Sequence, residues 1–575
     1  MTQGSELLML GEATLAGRQF PHVAWSDGLL LRGRGLPCRR QPRSCAVSLC
    51  SPTVPASVPW PAARQCHLLL TPGAMAALEH RLFDAGMPVA ALMEKAALAL
   101  SQRILADEPS LTDGVTVLVG PGHNGGDGLV IARELALAGH GVRVWCPFER
   151  LKPLTQNHLR YLQLLDVERL DSPPQPQRPG VWIDALFGLG QRRPLEGAVA
   201  SLAEEVRTCG RRCWAVDVPS GLSDSSGEPL GPCFPAARTF ALGAVKRGLL
   251  GDRALSLVGH LEPVPLGVPP SLLRQCLASA PTLLWPEDCH TFVAPQPPAA
   301  AGKYGRGRLL MLAGSRRYPG AFTLALAGAD ASGAGAIHAW IPQGGEDALL
   351  GRHPHVLVFG GSPAGDQLSW PGLSGLDRFD ALLVGPGIGP APFEPVQWAM
   401  LQAFRGLLVL DADGLNRLAS LGQAQAQAWL RARAGATWLT PHGAEARRLF
   451  GDLPGDRLDQ ARAAARASRT TVLLKGPRTA IAASDGRCWQ LAQASAEAAR
   501  AGLGDVLAGY AAGLAARFLA SGQPADPTWL AVAALDHGSA GLELQASGRR
   551  SFTPLDVAAA LARPGSFAAR NEQRN

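Results

Sequence analysis

The pattern of hydrophobic and polar residues divides the chain into a patternless start and two long regions in which strands and helices alternate. Residues 1–65 are rich in Pro, Arg, Ser and Cys and follow neither the strand period nor the helical period over any useful length. We therefore expect this segment to be a disordered extension.

From residue 66 to about residue 270 the apolar spacing predicts a first α/β domain. Helices are predicted over Thr71–Gly86, Val89–Leu100 and Val130–Ala138. Short apolar runs predict strands at Val115–Val119, Val142–Cys146, Val181–Asp184 and Cys213–Asp217. Strands that alternate with helices are typical of a parallel, doubly wound sheet, so we expect a Rossmann-like three-layer α/β/α domain.

The periodicity stops in the proline-rich stretch from Val264 to Ala300, where we place a domain linker at residues 271–290. A second α/β domain is predicted for residues 291–565, followed by a tail at 566–575. Its predicted strands are Leu309–Ala313, Ala381–Val384, Leu407–Asp411, Thr437–Thr440 and Thr471–Leu474. Ala-rich helices separate these strands, and no internal repeat relates the two domains.

Composition narrows the class of protein. A chain of 575 residues is too long for one core, and its 47% hydrophobic and 18% charged residues fit a soluble α/β enzyme. No apolar run approaches a membrane span, and no basic stretch precedes the short apolar patch near Met1, so we expect a cytoplasmic protein without a membrane partner. The cysteines form no C-x-x-C pair, and Cys209 and Cys213 have no nearby His, which disfavours a metal-thiolate site.

The net charge of +7 does not indicate nucleic acid binding. Residues 1–65 carry seven Arg against three acidic residues, which is +4 of the total and leaves only +3 for the rest. The chain has only five Lys among 54 basic residues. A Lys inside a motif is therefore more informative than an Arg would be.

Gly120–Gly128 lies between a predicted strand and a predicted helix and includes the pattern G-x-G-x-x-G. Backbone amides at such a turn approach a phosphate closely, aided by the positive end of the helix dipole. The pattern alone is weak: a structural tight turn and a nicotinamide-dependent dehydrogenase both remain open here.

The sequence His123–Gly128 closely resembles the signature loop of NAD(P)HX epimerases. Three further segments resemble that family's motifs in the same order: Leu92–Glu94, Asp184–Gly190 with Arg193, Pro194 and Gly197, and Val216–Leu222. Four motifs in order over about 200 residues are a far more specific signal than any one of them.

This resemblance implies an epimerase site at the carboxyl ends of the predicted strands. The implied substrate contacts are His123, Asn124, Gly125, Gly126, Asp127, Gly188, Leu189, Gly190, Gln191, Arg192, Arg193, Pro194 and Asp217. Asn124, Asp184 and Ser220 would bind a potassium ion, although such residues also cap helices and form turns. Asp217 is our candidate for proton transfer at C6 of the hydrated nicotinamide ring, with a substrate hydrogen bond as the alternative.

A second candidate site lies in the C-terminal domain. Lys475–Thr479 follows a predicted strand, and Gly502–Leu507 opens a helix predicted to run to Ala516. The second segment resembles the anion hole of ribokinase-like kinases, in which glycine amides face phosphate and the Asp faces the acceptor hydroxyl. A glycine turn followed by an Asp-initiated helix is the structural alternative.

Residues 290–565 resemble the ADP-dependent NAD(P)HX dehydratases, which implies a ribokinase-like fold. The shared motifs are Ala313–Ser315 with Tyr318–Ala321, Gly385–Gly389, Asp411–Asp413, and Thr440–His442 with Glu445. By this resemblance the hydrate pocket includes Ala321, Gly389, His442, Glu445 and Asp505, and ADP contacts Lys475, Gly476, Pro477, Arg478, Thr479, Gly502, Leu503 and Gly504.

The resemblance implies phosphorylation of the ring hydroxyl and loss of phosphate, giving AMP, phosphate and NAD(P)H. Asp505 would accept the hydroxyl proton, and Mg²⁺ would accompany the nucleotide.

Some positions depart from the two family patterns: Lys95, Ser225, Gly302, Gly443, Ala444, Arg500 and Ala501. The Cβ of Ala501 could keep the backbone farther from a phosphate group than a glycine would. The sequence therefore does not determine the affinity for the nucleotide.

The leading hypothesis is a bifunctional repair enzyme acting on NADHX and NADPHX. The alternatives are a hydroxymethylpyrimidine-type kinase fused to a ligand-binding domain and an inactive sensor of pyridine nucleotides. The sequence leaves open the preference between the two hydrates and whether the chain forms a homo-oligomer.

Overall fold

The structure of the protein, a computed structural model, describes residues 60–297, 299–315, 317–340, 353–358 and 375–563. Its first domain is built on a seven-stranded parallel sheet with strand order β4-β3-β2-β5-β6-β7-β9. A separate parallel pair, β1-β8, completes the strands of this domain. The strands are β1 Leu69–Leu70, β2 Val115–Val119, β3 Val142–Trp145, β4 Glu168–Leu170, β5 Val181–Ala185, β6 Cys213–Val216, β7 Ala236–Leu242, β8 Val245–Lys246 and β9 His260–Val264.

Helices cover both faces of this sheet, as expected where parallel strands are joined by crossovers. They are α1 Pro72–Asp84, α2 Val89–Leu105, α3 His123–Leu137, α4 Pro153–Leu162, α5 Gly197–Thr208, the short α6 Leu255–Val258, and α7 Pro270–Ser279. All five residues of β2 are buried, so this strand is covered on both faces. The strand order reverses between β2 and β5, and ligands bind at such a switch point in open α/β sheets.

The second domain has a ten-stranded sheet with order β10-β19-β18-β17-β16-β15-β14-β11-β12-β13, in which β18 runs antiparallel to both of its neighbours. Its strand order also reverses, between β11 and β14. The strands are β10 Thr282–Leu284, β11 Arg308–Leu312, β12 Ala336–Trp340, β13 Leu357–Val358, β14 Ala381–Val384, β15 Leu407–Leu410, β16 Thr437–Leu439, β17 Thr471–Leu474, β18 Ala480–Ala482 and β19 Cys488–Leu491.

The helices of the second domain pack on both sides of this sheet. They are α8 Pro319–Ala331, α9 Pro395–Ala403, α10 Ala412–Ala419, α11 Gln423–Arg431, α12 Gly443–Phe450, α13 Arg457–Ser468, α14 Leu503–Ala520, α15 Thr528–Ala546 and α16 Pro554–Leu561. By length and composition α14 could cross a membrane, but 72% of it is buried inside the protein, as in the core helix of a globular domain.

The predicted linker at residues 271–290 is folded, which corrects the sequence interpretation. Helix α7 covers its first half up to Ser279, and β10 joins the second sheet by pairing with β19. Pro270 and Pro286 occupy the first turns of α7 and of a 3₁₀ helix, where a missing N–H costs nothing. These prolines therefore start helices, and the chain passes between the domains without an unstructured linker.

The packed chain begins at least six residues before the boundary predicted at residue 66. The Gln65 side chain is buried, donates to the Gly243 carbonyl at 2.7 Å and accepts from the amides of Gly267 and Val268 at 3.1 Å. Arg64 pairs with Asp288 at 2.9 Å, and the Trp60 indole donates to the Asp288 carbonyl at 3.2 Å. The rest of the predicted extension, residues 1–59, lies outside the described residues.

These contacts make the effect of N-terminal truncation predictable. A chain that starts at Val58 should keep the thermal midpoint of the full protein, whereas one that starts at Cys66 should lose about 2–4 kcal/mol of stability. The loss follows because the shorter chain leaves buried partners of Gln65 unsatisfied. Thermal unfolding of the two truncated chains provides the measurement, and equal midpoints would show that Trp60 to Gln65 contribute nothing.

Candidate functional site

The first candidate site is a cavity of about 650 Å³ at the carboxyl ends of β2, β5 and β6. This is the switch point of the first sheet, because the loops after β2 and β5 diverge there. Of the residues predicted to contact the substrate, the cavity wall contains His123, Asn124, Asp127, Gly188, Leu189, Gly190, Gln191, Arg192, Arg193, Pro194 and Asp217.

Gly125 and Gly126 are absent from the wall, and close packing accounts for both. A Cβ on Gly125 would come within 1.9 Å of the Gly120 carbonyl oxygen. A Cβ on Gly126 would come within 2.7 Å of the Met93 side chain, and a Cβ on Gly120 within 1.6 Å of the Leu186 carbonyl oxygen. These glycines let α3 start directly beneath the β5 loop, and His123 and Asn124 at that start reach the cavity.

Asp217 lies at the cavity wall in the left-handed backbone region, with φ of +69°. Non-glycine residues rarely adopt this conformation, and those that do cluster at functional sites. The Asp217 carboxylate accepts from the Leu242 amide at 3.1 Å and forms an ion pair with Lys246, which is only 1% exposed. Lys246 also donates to the Leu242 carbonyl at 2.7 Å.

Sequence reasoning missed Lys246 because it lies outside the motifs, 29 residues after Asp217. The signal that could have found it is the rarity of lysine in this chain. A buried lysine is costly unless it is paired, so Lys246 indicates a specific role next to Asp217.

Asp127 and Glu79 also line this cavity, and their carboxyl groups interact with the charge of Asp217. Burial, and then the charge of Asp217, raises the pKa of Asp127 well above its usual value. The same two causes raise the pKa of Glu79. Asp217 therefore pairs with Lys246 beside two carboxyl groups whose pKa values are raised.

A buried group of oxygen atoms lies at the ends of β5 and β6. The Asp184 carboxylate accepts from the Ser220 amide at 2.8 Å and from the Ser220 hydroxyl at 2.7 Å. Burial raises the pKa of Asp184 to about 6, and the hydrogen bonds from Ser220 and Leu186 only partly offset this rise. Asn124 approaches the same region: a Cβ on Gly188 would lie 2.9 Å from Asn124 Oδ1 and 3.2 Å from Asp217 Oδ2. The Asn124 amide nitrogen is buried without a hydrogen-bond partner among the described residues.

The second candidate site is centred on Lys475, at the end of β17. Its ammonium donates to Asp411 Oδ1 at 2.6 Å, and a Cβ on Gly504 would lie 3.2 Å from Nζ. Burial acts to lower the pKa of Lys475, but the charges of Asp411 and Glu445 outweigh it, and the pKa is raised. The ammonium therefore stays charged beside the glycine turn that starts α14.

Asp505 lies in the first turn of α14, close enough to Lys475 for their charges to interact. Burial, and then the charge of Asp411, raises the pKa of Asp505 to about 7, and Lys475 partly offsets the rise. A carboxyl group with a pKa near neutrality is suited to accept and release a proton. Asp411 belongs to a family motif, but the sequence predicted no role for it. In the structure it forms an ion pair with Lys475.

Apart from Asp505, the residues predicted for the hydrate pocket follow three strands, β11, β14 and β16. A Cβ on Gly387 would lie 2.6 Å from the Ala321 methyl group, which places the start of α8 against the turn after β14. The Gly389 amide donates to Asp413 at 2.9 Å. His442 caps α12 and lies 3.3 Å from the buried Glu445, whose pKa is raised by burial.

The predicted ADP segment forms a tight turn after β17. The Thr479 hydroxyl donates to the Gly476 carbonyl at 3.0 Å. The Arg478 side chain is buried, and burial lowers its pKa to about 10. Gly502 has φ of +90°, which a Cβ would strain, and Ala501 beside it is exposed.

Together, the two sheets and two polar sites define a two-domain α/β enzyme with a glycine turn and a Lys–Asp pair in each domain. The family described as YjeF-related protein N-terminus matches residues 89–248, and the family described as NAD(P)H-hydrate dehydratase matches residues 309–563. The chain belongs to the family of bifunctional NAD(P)H-hydrate repair enzymes, as the similarity to its members shows.

The relative from Gloeobacter violaceus, a bifunctional NAD(P)H-hydrate repair enzyme, is 43% identical over 450 residues, which cover 76% of this chain and 87% of the relative. The bifunctional NAD(P)H-hydrate repair enzyme from Synechocystis sp. is 40% identical, and the match covers 84% of this chain and 91% of the relative. The crystal structure of the ADP/ATP-dependent NAD(P)H-hydrate dehydratase from Bacillus subtilis, co-crystallized with ATP/Mg²⁺, matches at 24% identity. The match covers 48% of this chain and 94% of the Bacillus subtilis chain, with a TM-score of 0.39.

These findings confirm the family and the two-domain α/β fold class predicted from the sequence. They favour the repair enzyme over the fused pyrimidine-type kinase and over the sensor.

Proposed function

We propose that this chain interconverts the R and S hydrates of NADH and NADPH and dehydrates the S form with ADP, releasing AMP and phosphate. We assign epimerisation to the N-terminal domain, which ends with α7, and dehydration to the domain that begins with β10. The observation that carries the proposal is that each domain has its own Lys–Asp pair at the carboxyl ends of its strands, buried in the first domain and partly buried in the second.

In the first site, two neighbouring carboxyl groups support proton transfer at the hydrated ring. Asp217 pairs with Lys246 and accepts the proton. Asp127 donates a proton, because burial raises its pKa well above the usual value and favours its neutral form.

We propose Asn124, Asp184 and Ser220 as ligands of a potassium ion. They offer oxygen atoms, and Asp184 is a fully buried carboxylate without a basic partner among the described residues, which fits a bound cation. The ion would supply positive charge near negatively charged parts of the substrate. The side chains themselves fix the loops after β5 and β6 through the Asp184–Ser220 hydrogen bonds.

In the second site, Asp505 accepts the proton of the ring hydroxyl as that oxygen attacks the terminal phosphorus of ADP. The bond between this phosphorus and the bridging oxygen breaks, and AMP leaves. Lys475 and the amides of Gly502 to Gly504 stabilise the phosphate charge. Phosphate then leaves C6 with the bonding electrons, a proton leaves the neighbouring carbon, and the dihydronicotinamide is restored.

Magnesium is the expected companion of ADP. Asp413 and Glu445 are oxygen donors that influence the pKa of Asp505, so their chemistry fits a hard divalent cation near the phosphates. The ion would neutralise phosphate charge during transfer.

The test is to incubate a mixture of the R and S hydrates with ADP and Mg²⁺ and to follow the absorbance of the dihydronicotinamide. Rapid recovery of the whole absorbance requires both activities, whereas rapid recovery of the S fraction alone requires only dehydration. No ADP-dependent recovery would contradict the proposal. A stable phosphorylated product without AMP-coupled recovery would favour a kinase.

Lys246→Gln should lower the rate of epimerisation. The variant removes the buried ammonium that pairs with the Asp217 carboxylate, so this carboxylate loses its charged partner at the cavity wall. We expect kcat/KM to fall by about tenfold or more, the effect of one lost charge-assisted hydrogen bond. The measurement is the rate of epimerisation by both variants, with the exposed Lys95→Gln as the control that should leave the rate unchanged.

We also propose a cytoplasmic location, since every cysteine in the described part of the chain is free. Whether the chain forms a homo-oligomer is a question for sedimentation analysis of the purified protein.

A further inference from the structure

One arginine at the domain boundary contacts both the N-terminal domain and the segment proposed to bind ADP. Arg457 is the first residue of α13, and its side chain is 17% exposed. One guanidinium nitrogen donates to the Lys475 carbonyl at 2.6 Å. Another forms an ion pair with Asp252 of the N-terminal domain.

The neighbouring glycine provides an independent observation. A Cβ on Gly476 would lie 2.2 Å from the guanidinium carbon of Arg457. The guanidinium therefore lies directly against the Gly476 backbone. Arg457 therefore contacts Lys475 and Gly476, two consecutive residues of the segment. The Lys475 amide donates a further hydrogen bond to the Pro441 carbonyl at 2.8 Å.

The N-terminal domain also fixes the end of the helix that carries this arginine. Arg247 pairs with Asp456 at 2.6 Å and with Asp459 at 2.8 Å, and Asp456 is the N-cap of α13. Arg247 and Asp252 belong to one segment that directly follows Lys246. A Cβ on Gly248 in this segment would lie 2.5 Å from the Ser223 carbonyl oxygen, so the segment is tightly packed on its own domain.

We propose that Arg457 is a positioning residue for the ADP-binding segment, and that the N-terminal domain sets its position through Asp252 and Arg247. The dehydratase half then needs the epimerase half for its full affinity for ADP. The inference rests on the proposed function only in taking ADP as the ligand of Lys475 to Thr479. By linkage, ADP binding should strengthen the ion pairs between the domains.

Arginine is suited to this role because its planar fork can donate to a carbonyl and a carboxylate at the same time. The single ammonium of lysine cannot reproduce both directions. Arg457→Lys should therefore behave like Arg457→Gln in ADP binding, although it keeps the positive charge beside Asp252.

The experiment measures ADP binding to the full chain by calorimetry, together with KM for ADP and kcat. Arg457→Gln and Arg457→Lys should each weaken ADP binding about tenfold, the effect of one lost charge-assisted hydrogen bond, with kcat within a few-fold of wild type. Asp252→Asn should weaken it about two- to threefold, because this pair is partly exposed. Arg466→Gln, exposed on the same helix, should change nothing.

A double-mutant cycle between Arg457→Gln and Asp252→Asn distinguishes positioning from general destabilisation. The two changes should be non-additive in ADP affinity, even where thermal midpoints are preserved. Wild-type affinity in Arg457→Gln, or equal losses in Arg457→Gln and Arg466→Gln, would overturn the inference while leaving the proposed function intact. A wild-type chain that neither binds ADP nor restores the dihydronicotinamide would overturn both.

Discussion

Asparagine in place of Asp505 is expected to lower the rate of ADP-dependent dehydration by about 10²–10⁴, the usual effect of removing a general base. ADP should still bind, because the glycine amides of Gly502 to Gly504 and the Lys475 ammonium, which we propose to contact phosphate, do so independently of the Asp505 carboxylate. The side chains have nearly the same shape, but an amide has no useful basicity. Release of AMP gives the rate, and calorimetry with ADP gives the binding.

The pH dependence provides a second readout for the same residue. The pKa of Asp505 is raised to about 7, chiefly by burial and then by the charge of Asp411. The base is the ionised form, so kcat/KM for dehydration should rise as the pH increases through about 7. Asp505→Asn should lack this rise. If the variant binds ADP normally and releases AMP at an undiminished rate, Asp505 is a helix cap, and His442 is the next candidate for the base.

Asp217→Asn is expected to lower the rate of epimerisation by a similar factor of about 10²–10⁴ and to leave dehydration of the S hydrate nearly unchanged. The separation follows because Asp217 belongs to the first domain and the Lys475 site to the second. Supplying pure S hydrate measures dehydration alone, and supplying the mixed hydrates measures both. Interconversion of the epimers at the normal rate would rule out Asp217 as the proton-transfer residue.

This substitution also leaves Lys246 buried without its counter-charge, which costs about 3–5 kcal/mol in comparable cases. The double variant Asp217→Asn/Lys246→Met removes both charges and should recover much of this stability. We expect the double variant to remain inactive in epimerisation. Recovered activity together with recovered stability would show that Asp217 acts only through folding.

The sequence by itself determined the elements whose signals are local. Strands such as Val115–Val119 and Ala381–Val384 coincide with prediction, because a short apolar run bounded by turn residues is a complete signal for a buried parallel strand. The motifs after those strands predicted both candidate sites at the carboxyl ends of the strands, since parallel strands bring these ends to one edge of a sheet. The proline-rich stretch was misinterpreted because a proline at the first turn of a helix and one in a linker look alike in sequence.

Only the tertiary structure decided which charges meet. Lys246 lies in β8, shortly after β7, and neither strand was predicted from the sequence. The pairing of β6 with β7 brings Lys246 to Asp217. Arg457 and Asp252 are 205 residues apart and belong to different domains. The local hydrophobic pattern cannot predict such a pair, because each of the two residues alone looks like an ordinary exposed polar residue. Burial shifts the pKa values of Asp127 and Asp505 for the same reason: low polarity and neighbouring charge arise only when distant segments pack together.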